Sequence, residues 1–535
     1  MKPSIAVSAP DHLNLPRGWK AFGLGLLAGA VGALVMTTVM LLLRILFGLP
    51  TPMSLIGDRI SALIPAEPFL ALMGKLGGYN QMKQVGVGSV IAGQLVVGAI
   101  GGWVYAVVIG RNAVAPARRG LVTFVLFVVL PLLVLAATLW PIAGTNFRGL
   151  PIGLAMATTL VGFGLALFAY ERTVVRGYAF LSRPLVRSQE DVEFSPTVGR
   201  RAIVLGGIGT VVGLGGAGLL RKLYKEATFS YDGTQYKGKD VTGITPNDKF
   251  YTVTKNVVDP KVNPAVWRLE IGGMVAKKRT YTLDEIKAMP AVTQETTLMC
   301  ISNGIGAGLM SNAVWKGVPL RGLLEASQAD PNGEKVLIHG VDNYADTFPL
   351  EKAMNPTTLI VYEMNGEPLP DRHGAPARVL VPGYFGEKNV KWVTRIEVAM
   401  EDAKGFYEQQ GWGPNFIVPI RSRIDVPEDK VQMPLGEAAN GVPLKGIAFA
   451  GDRGVARVEV SLDDGQNWQE AKIDYPGTEL TWVLWSYDWK PDRPGEYQLT
   501  VRATDRKGEV QAKDEKRPKT SGETGLHKVT VQLAA

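Results

Sequence analysis

Thr297-Leu-Met-Cys-Ile-Ser-Asn-Gly-Ile-Gly-Ala-Gly-Leu309 holds the only cysteine of a 535-residue chain. A single cysteine forms no internal disulfide. The specific uses open to Cys300 are therefore those of a thiolate, as a nucleophile or as a ligand to a soft metal, against the plain use of a small buried side chain. Around it, from Asn247 to about Lys404, short apolar runs alternate with helical patterns. Val266-Trp-Arg-Leu-Glu-Ile271, Lys335-Val-Leu-Ile-His-Gly340 and Ala377-Arg-Val-Leu-Val-Pro382 read as strands, and Thr282 caps a short helix over Leu283–Ala288. The expected fold of this part is a mixed α+β domain.

After about Val426 the pattern turns to all-β. Val455-Ala-Arg-Val-Glu-Val-Ser461 alternates, Asp463-Asp-Gly465 turns the chain, Trp468 begins the return, and Tyr497-Gln-Leu-Thr-Val-Arg502 alternates again. The spacing predicts an immunoglobulin-like sandwich over 426–535. Lys513 to Gly525 reads as a charged mobile loop before a last strand, His527 to Gln532.

Upstream, four apolar runs are each long enough to cross a bilayer: Ala21 to Leu49, Val85 to Gly110, Gly120 to Trp140 and Leu150 to Tyr170. A fifth, Ala202 to Leu220, is Gly-rich and uncharged. Lys2, Arg17 and Lys20, then Arg111, Arg118 and Arg119, then Arg172 to Arg201 fall on one side if all five span. The positive-inside rule makes that side the cytoplasm and puts everything after Arg221 outside. Arg200-Arg201 before the fifth run also resembles a twin-arginine export signal, a route for proteins already folded around a large cofactor.

The excess of 57 Lys and Arg over 49 Asp and Glu is concentrated in residues 1–201, at about +10, with about −2 in the rest. It belongs to membrane topology, and no nucleic-acid footprint is present. Gly213-Leu-Gly-Gly-Ala-Gly218 matches a dinucleotide fingerprint but lies inside an apolar run, where small residues serve helix packing, so it is rejected. None of the four histidines lies in a predicted span and no CxxCH or cysteine cluster exists, so neither haem nor an iron–sulfur cluster is expected.

The Cys300 segment, continued through Ser311-Asn-Ala-Val-Trp-Lys-Gly-Val-Pro-Leu320, resembles the molybdopterin-binding domain of the sulfite oxidase family. Tyr362-Glu-Met-Asn-Gly-Glu-Pro-Leu-Pro370, Arg372-His-Gly-Ala-Pro-Ala-Arg-Val-Leu-Val-Pro-Gly383 and Phe385-Gly-Glu-Lys-Asn-Val-Lys-Trp392 match in the family's order. The all-β region is similar to the family's C-terminal dimerisation domain, which implies a possible homodimer. The organisation expected is a membrane anchor over 1–221, a linker over 222–246, a catalytic domain over 247–425 and the sandwich over 426–535.

The resemblance implies a molybdenum centre with one pterin, whose dithiolene sulfurs are joined on the metal by the Cys300 thiolate. It further implies that Asn247, Tyr251, His373 and Arg378 contact the cofactor. The Gly386-Glu387-Lys388 turn and Lys391 would close over its phosphate end. The chain departs from the family at the substrate. An arginine after Cys-x-x-Asn is replaced by Gly304, and an Arg-Asn-His triplet reads Lys255-Asn256-Val257. Lys255, Arg421 and Arg423 are the candidates for replacement positive charge, and Tyr407 and Trp412 both fall near the position of the family's active-site tyrosine.

The expected activity is two-electron oxygen-atom transfer on a small oxyanion or on an S- or N-oxide, sulfite among them, outside the membrane. With no second redox centre in the chain, electrons pass to or from an outside partner: a cytochrome, a membrane subunit or a quinone. The alternatives are a reductase of S-oxides, including methionine sulfoxide in proteins, and, in another class, a non-catalytic envelope binding protein.

Overall fold

A computed structural model describes residues 19–51, 54–55, 63–76, 79–110, 118–139, 148–182, 235–256, 259–514 and 517–535, with isolated positions between 215 and 222. The Arg200-Arg201 pair and nearly all of the fifth apolar run lie outside the described residues. The chain divides into two compact units, of which the second gathers residues 57–82, 145–151 and 226–535.

The first unit is helical. Its long helices are α1 (Trp19–Phe47), most of α3 (Tyr79–Gly110), α4 (Arg119–Phe124, a π-turn Val125–Val129, then Leu130–Leu139) and α5 (Ile152–Leu181). All four are long and apolar enough to cross a membrane. Glycine sets how closely α1 and α3 approach, because a Cβ on Gly29 would collide with the Gly98 carbonyl oxygen. Polar side chains pair inside the bundle: Tyr170 Oη donates to Gly98 O at 2.6 Å, and Thr123 Oγ1 to Glu171 Oε1 at 2.9 Å.

In the second unit, β1 (Leu269–Gly273), β2 (Arg279–Tyr281), β5 (Lys335–Gly340), β6 (Ala345–Pro349) and β10 (Val393–Ala399) form a sheet in the order β2-β1-β10-β5-β6. Within this sheet β1 and β10 pair in parallel, with Ile271 opposite Ile396, and the other pairs are antiparallel. Thr282 forms the expected cap, a full capping box with Glu285, on the helix Leu283–Lys287, a motif that stabilises a helix start by about 1 kcal/mol.

A second sheet carries the cysteine. β3 (Val292–Met299), β4 (Met310–Pro319), β7 (Leu359–Met364) and β8 (Glu367–Pro368) are neighbours in that order, and β9 (Arg378–Leu380) pairs with β7. Met299 opposes Met310, so Cys300 opens the loop that joins β3 to β4.

The C-terminal region has two sheets around one core. β11 (Arg421–Val426), β13 (Val442–Phe449), β17 (Val483–Trp489) and β16 (Lys472–Tyr475) make one; β12 (Val431–Pro434), β19 (His527–Ala534), β18 (Gly495–Asp505), β14 (Val455–Ser461) and β15 (Gln469–Glu470) make the other. Ala448, Trp485, Leu499 and Val529 meet between them. The segment expected to be a mobile loop is tied down over much of its length. Ser521 and Thr524 are buried, Ser521 Oγ donates to Gly413 O at 2.7 Å, and Gln511 Nε2 donates to Gly525 O at 2.8 Å. Its polar composition is spent on backbone partners, which charge content alone does not reveal.

An element without counterpart in the sequence reading is α2, Ala66–Lys75, in the segment joining α1 to α3. Its Ala66 N–H donates to Gln410 O at 2.9 Å, and Ala66, Phe69 and Leu70 pack in one core with Trp412, Ile301 and Phe385.

Candidate active site

Cys300 sits at the end of a strand whose loop is pinned from three sides. Its N–H donates to Leu309 O, Asn303 N–H returns to Cys300 O, and Leu309 N–H reaches Asn303 Oδ1, at 3.0, 3.0 and 2.8 Å. The thiol is buried, 3.1 Å from Ser302 Oγ. Burial pushes it up to about 11, against the opposing hydrogen bond from Ser302. At neutral pH this is a thiol, and a thiolate there needs a cation to compensate it, which favours a metal ligand over a free nucleophile.

Cys300 lies on the wall of a cavity of about 500 Å³. Lys255, Tyr251, His373, Arg378, Gly386 and Lys391, all named from sequence, line the same cavity. His373 and Arg378 come from neighbouring turns of one segment. The His373 ring Nε2 bonds Asn247 O at 3.0 Å, while burial pulls its pKa down to about 3 and keeps it neutral. Arg378 donates to His373 O and Asn389 O at 3.2 and 2.9 Å, and its pKa falls to about 10 through burial. Lys391 Nζ lies 3.2 Å from Arg372 O, and burial lowers it to about 8. Gly386 is required where it stands, since a Cβ there would collide with the Tyr251 hydroxyl.

Four of the expected residues, Asn247, Lys388, Arg421 and Arg423, are not on the cavity wall. Asn247 supports His373 through its carbonyl and spends its side chain on Met364 O and Glu367 Oε2 at 3.3 and 3.1 Å. Lys388 is buried 2.6 Å from Asp346 Oδ1, so its charge is consumed inside the protein. Arg421 and Arg423 hold the Cys300 loop by its carbonyls: Arg421 donates to Asn303 O at 2.8 Å, and Arg423 to Ala307 O at 3.0 Å while pairing with Asp425 at 2.9 Å. Neither guanidinium lines the cavity. Lys255 does, with Nζ 2.8 Å from Asp342 O, and both Tyr407 and Trp412 do, with rings 5.3 Å apart.

Three further lining residues are Asp342, which lies outside the sequence motifs, and Glu387 and Asn389 of the Phe385–Trp392 motif. Asp342 accepts from Asn256 Nδ2 at 2.6 Å, and Asn389 Oδ1 fixes Val381 N–H at 2.7 Å. Glu387 has both carboxylate oxygens shut off from solvent with no partner among the described residues, and burial, then Asp346, push it up to about 8. Arg378 Nε is likewise without a partner. Unpaired donor and acceptor atoms around a cavity of this size fit a ligand with a polar ring system, as a pterin is, and Cys300 Sγ offers a soft donor for its metal.

Residues 256–407 match the oxidoreductase molybdopterin binding domain, and 415–532 match the Mo-co oxidoreductase dimerisation domain. The chain belongs to the sulfite oxidase family. Members of this family are molybdopterin-dependent enzymes, which sets aside the reading as a non-catalytic envelope protein. Mitochondrial sulfite oxidase of Drosophila melanogaster is 31% identical over 50% of this chain and 55% of that protein, and the Homo sapiens enzyme is 32% identical over 48% and 55%. An NADH nitrate reductase of Solanum lycopersicum is 29% identical over 49% of this chain and 35% of its own length. This sulfite-oxidase-family chain thus spans about half the length of the curated relatives it matches. The sulfane dehydrogenase SoxCD from Paracoccus pantotrophus aligns at 25% identity with a TM-score of 0.49, over 55% of this chain and 82% of that one.

Proposed function

We propose that the protein is a membrane-anchored molybdenum–pterin oxidoreductase that moves one oxygen atom, with two electrons, between water and a small sulfur- or nitrogen-centred substrate. The observation that carries this reading is the convergence of Cys300, His373, Arg378, Gly386 and Lys391 on one cavity wall. When bound, the cofactor supplies the two-electron redox centre at which the oxygen is exchanged. Cys300 is the thiolate ligand. Arg378 and Lys391 set positive charge against an anionic pterin, and neutral His373, whose Nε2 donates to Asn247 O, keeps its Nδ1 as an acceptor. Asp342 and Glu387 provide acceptors for ring N–H groups. Reduction of an oxo substrate takes up two protons and two electrons and releases water; oxidation runs the same balance in reverse.

The placement of Lys and Arg supports an extracytoplasmic site: Arg118 and Arg119 stand at the start of α4, and Arg172 and Arg176 lie towards the end of α5, helix ends that the positive-inside rule gives to the cytoplasm. The Arg200-Arg201 pair then serves as an internal export signal. The dimerisation-type domain, read as an immunoglobulin-like sandwich from its two sheets around one core, joins two copies. An outside carrier, whether cytochrome, quinone or membrane subunit, exchanges the electrons.

The test is full-length protein purified from a host that makes the cofactor, analysed for molybdenum and pterin and assayed with artificial electron carriers against sulfite, S-oxides and N-oxides. Stoichiometric metal and turnover of one class are expected. A preparation free of metal and pterin contradicts the reading.

A further inference from the structure

α2 carries Ala66, Phe69, Leu70 and Met73 at the spacing of one helical face. Ala66 is buried, and Phe69, Leu70 and Met73 are partly covered, whereas Glu67, Leu72 and Lys75 on the other face are exposed. The covered face looks into the catalytic cavity, where Phe69, Leu70, Met73 and, further on, Gln81 form part of the wall. It is held there by the Ala66 N–H bond to Gln410 O and by packing with Trp412 and Tyr407. The wall extends to Ile301, the neighbour of Cys300, which belongs to the same apolar cluster.

The side chains that α2 brings to the wall, Phe69, Leu70 and Met73, are uncharged, and among the described residues the Lys and Arg side chains lining the cavity, Lys255, Arg378 and Lys391, come from other segments. Gly304 brings no side chain, and Arg421 and Arg423 are turned to the carbonyls of the Cys300 loop. A bare oxyanion held against the covered face of α2 would be desolvated with no counter-charge from that helix, which is costly. An apolar group would be matched there by an aromatic ring, a leucine and the polarizable sulfur of Met73.

We infer that α2, contributed by the segment joining the first two membrane-type helices, is the specificity wall of the active site and receives the apolar body of an organic S-oxide or thioether. The inference rests on the molybdenum oxidoreductase reading and names its substrate class.

The test uses full-length holoenzyme with two probes, methyl phenyl sulfoxide and sulfite, in wild type, Phe69→Ala/Met73→Ala and, as a control on the exposed face, Leu72→Ala. The double variant should lose roughly tenfold or more in kcat/KM for the sulfoxide, mainly through KM, with molybdenum content unchanged. Leu72→Ala should match wild type. A readout independent of turnover is Met73→Cys in holoenzyme, where methyl phenyl sulfoxide should slow maleimide labelling and sulfite should not. Overturning results are labelling that ignores the sulfoxide, parallel losses for both probes, or a holoenzyme that turns over sulfite alone. The last leaves oxygen-atom transfer standing, whereas a metal-free wild type removes the underlying reading instead.

Discussion

Lys388 Nζ lies 2.6 Å from Asp346 Oδ1, and the two side chains are 2% and 0% exposed. Glu408 stands 3.6 Å away and the Phe416 ring 3.7 Å from the ammonium, so the charge is enclosed by protein on several sides. Sequence motif alone assigns this lysine to a cofactor phosphate; its geometry makes it an internal strut beneath the turn that carries Gly386 and Glu387.

Removing one partner of such a pair strands the other charge. Lys388→Met should destabilise the protein by roughly 3–5 kcal/mol, and Lys388→Met/Asp346→Asn should cost less than Lys388→Met alone. Urea unfolding of wild type, Lys388→Met, Asp346→Asn and the double variant measures this. A double-variant loss equal to the sum of the two single losses would show that the pair is not coupled.

His373 is held neutral by burial, with its pKa down at about 3 from an ordinary 6.5, and it faces Arg378, Lys391 and Arg372. The unfolded chain therefore takes up a proton here before the folded one does. The stability this site contributes is present above pH 6.5 and is lost as pH falls from there towards 3. His373→Gln should flatten that acid limb, measured as the unfolding midpoint between pH 4 and 7, relative to wild type at each pH. An unchanged slope would place the acid sensitivity elsewhere.

Gly386 and Tyr251 form a steric pair at the cavity wall. Gly386→Ala drives a methyl group against the Tyr251 hydroxyl, and it should lower pterin content several-fold in purified protein. Tyr251→Phe removes the oxygen in the way, so Gly386→Ala/Tyr251→Phe should recover part of the loss. Pterin fluorescence after release from the protein gives the comparison. A double variant no better than Gly386→Ala would mean that the glycine serves the backbone and not the clearance.

The strands at 335–340 and 455–461, the Thr282 cap and the Cys300 loop were legible because each depends on local rules: alternation, hydroxyl capping, and a motif in fixed order. Placement across the fold was not. Lys388, Arg421 and Arg423 carry the charge that an anionic ligand wants, but whether a long cationic side chain points into a cavity or into Asp346, Asn303 or Ala307 is settled by tertiary contacts. α2 lies more than three hundred residues from Trp412, and although its 66, 69, 70, 73 stripe is visible in the sequence, nothing local says what that stripe covers. The motif includes Glu387 in a turn, but that both its oxygens are shut off without a partner is set by the tertiary fold.

The most direct measurement of the central claim is X-ray absorption at the molybdenum edge on full-length wild type and Cys300→Ala, with metal and pterin content measured in the same samples. The account predicts molybdenum in wild type with one sulfur ligand more than in the variant, because Cys300 Sγ is the protein's ligand. Molybdenum with the same sulfur count in both proteins, or wild type without molybdenum, would contradict it.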